Sequence, residues 1–279
     1  MIILRHVADL RSVAVVLAAL AVFALQWSGL CRHPALWVLG VLLAYITFVI
    51  NHNHQHLPMF HATWLNRAFD LALTFTSGFP VSLLIPLHNR NHHDANNGPD
   101  DFMSTGHIRI RWPWLRLLLY PCAAAIAYAP RKREILRGLL RSSPRLYWRI
   151  AVQRLALLGG VGILLALRPL DTLLIVMLPW ALAHYWIINA NYLQHEGCDH
   201  TSSDAHSRNI TGWVLNWLLF NGGYHTVHHE RPLAHWSELP SLHAQRAWVL
   251  DRDLNQPFVP TLLRLFTGRY RRHGPERVA

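Results

Sequence analysis

Three short stretches of this 279-residue chain concentrate histidine at regular spacing. NHNHQHLPMFH (51–61) sets His52 and His56 as HxxxH. HNRNHHDANN (88–97) sets His88, His92 and His93 as HxxxHH. NGGYHTVHHERP (221–232) sets His225, His228 and His229 as HxxHH. A fourth element, NYLQHEG (191–197), holds Asn191 and His195 four residues apart. Spacings of three and four put side chains one turn apart on one helical face, so the imidazoles of each stretch can converge on one ion. Two adjacent histidines splay by about 100 degrees, so an HH pair can serve two ions. Imidazole suits iron, zinc and copper. Nine histidines exceed the four ligands of one tetrahedral zinc ion and suffice for two ions with four or five nitrogens each.

The elements that must position these residues read as membrane helices. The chain is 52% hydrophobic and 15% charged, with twelve tryptophans, well below the usual quarter of charged residues in a soluble domain. A spanning helix needs roughly 20 mostly apolar residues. Residues 12–28 and 34–50 supply one pair, joined by a short turn; residues 150–168 and 170–193 supply a second, joined around Arg168-Pro169. Arg154 interrupts the third, and can snorkel to the interface. Two broken apolar runs, 68–87 and 113–129, carry internal prolines and charges and are predicted to lie along the interface. Four spans leave 1–11, 51–149 and 194–279 on one side, and these stretches hold 23 of the 26 Lys/Arg. That side is predicted to be cytoplasmic, and every dense histidine group belongs to it. The expected organisation is one membrane domain over 1–268 and a basic tail, 269–279, disordered or bound at a lipid surface. Cys31, Cys122 and Cys198 form no pair motif and are read as free thiols.

Other residues carry weaker signals. His54 and His61 share the first stretch, with His61 expected at the interface. His184 lies about three helical turns before His195 on the same face, and suits either a substrate tunnel or a buried hydrogen bond. His200, His206 and His235 are expected to surround the ligands rather than join them. Metal-bound imidazoles need an acceptor for their second N–H, and Asp94, Asp100, Glu196 and Glu230 are the candidates. HEGCDH (195–200) is HExxxH rather than the HExxH of zinc peptidases. Gly222 and Gly223 are expected to turn the chain into the third histidine stretch. RKREILRGLLR (131–141) is a basic amphipathic run, suited to a lipid surface or to an acidic electron carrier.

Taken together, these stretches resemble the membrane fatty acid desaturase family, which shares its logic with membrane alkane hydroxylases and carotenoid ketolases. Phe60 and Trp64-Leu65-Asn66 match the run that follows the family's first box. Asn191 and His195 resemble its NxxxH element. The third box, with His235 and Pro240 downstream, resembles the GxHxxHHxxP context. The resemblance implies an all-α membrane fold: four transmembrane helices in two hairpins with a cytosolic helical cap. It implies two iron ions held by His52, His56, His88, His92, His93, His195, His225, His228 and His229, with Asn191 holding a water on the metal. It implies an oxidoreductase that uses O2 and two electrons to oxidise an unactivated C–H bond of a fatty acyl or other lipid chain. Desaturation is the leading reading, and hydroxylase, ketolase and acetylenase chemistry share the same boxes. A membrane zinc hydrolase or a metal transporter is the reading from another class. No HPGG, CxxCH or GxGxxG segment is present, so the electron donor is expected to be separate: ferredoxin, rubredoxin or a b-type cytochrome. The expected location is a bacterial inner membrane, with no nucleic-acid partner.

Overall fold

The computed structural model describes residues 3–269, so the expected tail, Arg269 apart, lies outside the described residues. Helices dominate. α1 (Asp9–Trp27), α2 (Pro34–His56), α3 (Thr63–Ser77), α4 (Pro113–Tyr128), α5 (Arg131–Ser142), α6 (Pro144–Leu167) and α7 (Leu178–His195) precede four short helices. These are α8 (Trp213–Leu218), α9 (His225–Glu230), α10 (Leu239–Arg246) and α11 (Phe258–Thr267). One parallel pair, β1 (Asn209–Thr211) with β2 (Asn255–Pro257), sets Ile210 opposite Gln256.

Among the described residues, four helices are long and apolar enough to cross a membrane: α1, α2, α6 and the continuous run Pro169–His195 that ends in α7. The chain is therefore an all-α membrane protein. Prolines start three of these four helices, at Pro34, Pro144 and Pro169, where the missing N–H costs nothing and φ is already helical. His33 adds a cap: its Nδ1 accepts from the Ala35 backbone N–H at 3.2 Å. Two of the helices outrun the expected apolar stretches. α2 continues past residue 50 to His56, and α7 continues past residue 193 to His195. The first histidine box and the Asn191–His195 element are thus the polar last turns of spanning helices, where apolar runs end but backbone hydrogen bonding does not.

The chain forms two compact units, one from Met1–Ile85 with Ile135–Ile187 and one from Pro86–Glu134 with the chain from Ile188 onward. In the first, Phe23, Ala44, Leu157, Val176, Trp180 and Ala183 form a core. The Trp27 indole N–H donates to Thr172 Oγ1 at 2.9 Å. The apolar stretch 68–87 divides at Gly78, and the helical segments on either side bend by 95°. Gly78 ends α3 at φ 66°, and a Cβ there would lie 2.3 Å from Trp180 Cδ2, so the position needs glycine on both counts. The carboxylate of Asp70, 1% exposed, draws Arg149 Nη2 (2.7 Å) from α6 and Gln55 Nε2 (3.0 Å) from α2. A buried charge is tolerable only when it is paired in this way, and here the pairing ties α2, α3 and α6 together.

The second unit has two apolar clusters. One packs Ile108, Tyr120, Ala124 and Tyr192. The other packs Leu193, Ile210 and Leu265 with Leu117, Leu215 and Leu262.

Candidate metal centre

The second histidine stretch is wound as a π-helix, Ile85–His92, followed by the single turn His93–Ala95. π-Turns are rare and collect at functional sites. The chain then leaves the helix through two left-handed asparagines, Asn96 (φ 44°) and Asn97 (φ 65°), a conformation asparagine tolerates. Asn97 Nδ2 donates to the His195 carbonyl at 3.3 Å, and its Oδ1 accepts from Thr105 N at 2.7 Å.

The third stretch is α9. The left-handed residues that aim it are Phe220 (φ 51°) and Asn221 (φ 59°), not the two glycines expected to make the turn. Gly223 serves a different need. A Cβ there would lie 2.3 Å from the Ile210 carbonyl oxygen and 2.6 Å from Asn216 Oδ1. Its own N–H donates to Asn216 Oδ1 at 3.0 Å, and its carbonyl accepts from Ile210 N at 2.8 Å. The start of α9 is fixed from β1: the Thr226 N–H donates to Asn209 Oδ1 (3.0 Å), and Asn209 Nδ2 donates to Thr226 Oγ1 (2.9 Å).

These elements bring histidines into two groups within the second unit. His92, His195, His225 and His229 form one: each offers a ring nitrogen, and all four nitrogens lie within 4.8 Å of one another. His88, His93 and His228 offer three more within the same limit. The HH pairs divide as their geometry requires, His92 and His229 to the first group, His93 and His228 to the second. The groups abut, with His93 stacked on His229 at 4.3 Å between ring centroids. In the first unit His52 and His56 stand side by side at the end of α2, 4.8 Å between centroids.

The donor set fits metal ions. Two nitrogens held at about 2.1 Å by one ion stand about 3.0–3.4 Å apart. His195 Nε2 to His225 Nε2 is 2.9 Å, His225 Nε2 to His229 Nε2 is 3.1 Å, and His88 Nε2 to His93 Nε2 is 3.2 Å. His92 is the clearest single case. Its Nδ1 meets Asp101 Oδ2 at 2.7 Å, while its Nε2 is buried and makes no hydrogen bond. A ring fixed by a carboxylate behind it, with the far nitrogen unbonded, has the arrangement of a metal-binding imidazole. Burial, then the electrostatic cost of a second charge beside His225, His92, His195 and His93, drives the His229 imidazole well below its ordinary range. It is therefore held neutral, the form that binds metal.

The supporting residues differ from those expected. The carboxylate behind a ligand is Asp101, not Asp94, Asp100, Glu196 or Glu230. Asp101 also accepts from the backbone N–H groups of Asn97 (2.8 Å) and Met103 (2.7 Å), so the loop 96–103 folds around it. Its signal in the sequence is its place nine residues beyond His92, next to Asp100. Glu196 instead takes Arg116 at 2.5 Å, both buried. Glu230 takes Arg246, which also bridges to Asp204, each at 2.7 Å. His195 Nδ1 faces the His206 backbone carbonyl at 3.3 Å, so His206 contributes through its main chain.

The remaining marked residues have structural partners. Asn191 Nδ2 donates to the Met103 carbonyl (2.9 Å) and to Tyr120 Oη (2.8 Å). His54 Nδ1 accepts from the Met59 N–H. Asn66 of the WLN run clips the connection from α2 to α3, accepting from Phe60 N (3.0 Å) and donating to Phe60 O (2.9 Å). His184 Nε2 lies 2.7 Å from the Ser77 carbonyl, the hydrogen-bonded alternative for that residue. His235 Nδ1 pairs with Ser237 Oγ at 2.7 Å. The three cysteines are free, and Cys198 is buried.

No curated protein matches the chain. The fatty acid desaturase family model matches residues 32–259, a span that takes in all three histidine stretches and the Asn191–His195 element. The chain belongs to the fatty acid desaturase family.

Proposed function

We propose that the protein is an integral-membrane di-iron oxidoreductase that removes hydrogen from an unactivated C–H bond of a fatty acyl or related lipid chain, with desaturation as the outcome. The observation that carries this reading is the division of histidines into two abutting groups that share the adjacent pairs His92-His93 and His228-His229. Such an arrangement suits two ions, whereas a single zinc site would use four ligands. All-imidazole ligation suits iron. His92, His195, His225 and His229 would hold one iron. His88, His93 and His228 would hold the other. Bound iron supplies the power to reduce O2 with two electrons and to oxidise a C–H bond.

The chain's own residues supply position. Asp101 fixes the tautomer of His92 by accepting from Nδ1, leaving Nε2 as the ligand atom. Asn97 and the His206 carbonyl hold the end of α7, and with it His195. Tyr120 and the Met103 carbonyl fix the carboxamide of Asn191, whose carbonyl oxygen would hold a water beside the metal. The nearly complete burial of His92, His195, His225 and His228 keeps bulk water from these nitrogens.

The arginine distribution supports a cytoplasmic place for the histidine-bearing segments, where a separate ferredoxin, rubredoxin or b-type cytochrome would deliver electrons. The test is metal analysis of the purified chain with product analysis of reconstituted lipid. Desaturation removes two hydrogens from the acyl chain, and hydroxylation adds an oxygen. Iron bound to the chain and an acyl product short of two hydrogens are expected. Active protein without iron would overturn the reading.

A further inference from the structure

The second unit carries an apolar face that no membrane-spanning helix supplies. The interior seam fixes its geometry: Leu117 of α4, Leu215 of α8 and Leu262 and Leu265 of α11 pack together around Leu193 and Ile210. The opposite side of each helix is therefore turned outward, and in each case it is hydrophobic. On α4 the outward stripe runs Trp114, Leu118, Cys122, Ile126, a spacing of four that keeps one face. On α11 it is Val259 (62% exposed), Leu263 and Phe266. On α8 it is Trp213 (80% exposed), Val214 and Trp217. The end of α11 meets the start of α4, since a Cβ on Gly268 would lie 2.9 Å from Pro113 Cγ. α8 follows β1, and β1 pairs with β2 directly before α11. Three helices around one shared core thus each present an apolar outward face, together more than the isolated apolar residues a water-facing domain normally shows.

Length and charge say what covers it. α11 has ten residues, about 15 Å of helix, half the thickness of a hydrocarbon core. α8 is shorter still. Neither can span. The rim is basic: Arg109 and Arg111 are exposed just before α4, and Arg269 is exposed just after α11. The three helices carry no acid, and Asp253, just before β2, is engaged by Arg264 of α11. Short helices with tryptophan, phenylalanine and leucine on one side and arginine at the rim match the headgroup–acyl boundary of an anionic bilayer.

We infer that the outward faces of α4, α8 and α11 form a monotopic lipid-binding surface, seating the histidine-bearing unit in the membrane interface by its own contacts, separately from the four spans. Such a seat would hold the second unit at the depth where acyl chains begin. It depends on neither bound metal nor turnover.

The test uses the full chain in nanodiscs of phosphatidylcholine with phosphatidylglycerol. Cys31→Ser and Cys122→Ser remove the exposed thiols, and single nitroxide labels are placed at Leu118→Cys, Val259→Cys, Leu263→Cys and Val214→Cys. An Ala244→Cys label on α10 is the water-facing control. Labels on the face should be relaxed by O2 and lose access to a water-soluble nickel complex, the reverse of the control. Nickel access equal to that of Ala244→Cys overturns the proposal. So does shielding from both reagents, which would mean that a second copy or another protein covers the face. Labels on three helices keep the test decisive if one variant misfolds.

Discussion

His92 Nδ1 lies 2.7 Å from Asp101 Oδ2, and neither side chain reaches solvent. The contact joins a residue of the second histidine box to a loop acid that belongs to no box. It fixes which nitrogen of His92 is offered to a metal.

Replacing Asp101 by asparagine keeps the shape of the side chain and removes its charge. Metal affinity should fall by about 10–100-fold, the usual cost of losing a carboxylate behind a metal-bound imidazole. Chelator competition on the purified variant measures this. Because asparagine can still accept from Asn97 N or Met103 N, the thermal midpoint should change far less than the affinity. An unchanged affinity would show that Asp101 is only a loop staple.

The adjacent pairs make a sharper prediction. His228→Ala and His229→Ala remove neighbours in sequence that belong to different groups. Each variant should lose one ion and leave the other group's ligands in place, and both should lose turnover because the chemistry uses the pair. Iron per chain, together with the spectrum of the remaining iron, separates the two cases. Identical metal content and identical spectra in the two variants would contradict the assignment.

Arg116 and Glu196 form a buried ion pair next to His195. Arg116→Leu leaves the carboxylate without its cation and should destabilise the protein by about 3–5 kcal/mol. The double variant Arg116→Leu, Glu196→Leu should recover much of that loss, because no uncompensated charge remains. Thermal unfolding in detergent checks both. An equal loss in the single and the double variant would mean that packing, not charge, holds this corner.

Gly223→Ala tests the approach of the third box to β1. The added methyl would meet the Ile210 carbonyl at 2.3 Å, so α9 or β1 must shift. Overpacking of this kind costs about 1–3 kcal/mol. Iron content should fall as well, because His225, His228 and His229 ride on α9. A variant with wild-type midpoint and iron content would contradict the close approach.

Much of this was legible in the sequence, for identifiable reasons. Apolar runs of spanning length mark the membrane helices whatever the tertiary packing, because the bilayer fixes their length. Spacings of three and four mark His88, His92, His93, His225, His228 and His229 because helix geometry is local. Helix ends were less legible: α2 and α7 run on through polar residues to His56 and His195, past the point where hydropathy stops. The residues that steady the histidines were least legible. Asp101 reaches His92 through a loop built on two left-handed asparagines, and four other acids looked equally suitable. Gly222 and Gly223 looked like turn residues, yet Phe220 and Asn221 take the left-handed conformation. Asn209, which aims α9, is a buried polar residue on a three-residue strand and has no periodic signature. The face made by α4, α8 and α11 depends on helices far apart in sequence, and only the fold joins them.

The central claim, that two histidine-held irons oxidise an acyl chain with O2, is tested most directly by one comparison. The iron-loaded full chain, in lipid with a reductant and electron carrier, is incubated under O2 and under argon, and the acyl chains are analysed by mass spectrometry. A product short of two hydrogens that forms under O2 and not under argon is the predicted result. Turnover under argon, or turnover by iron-free protein, would contradict it.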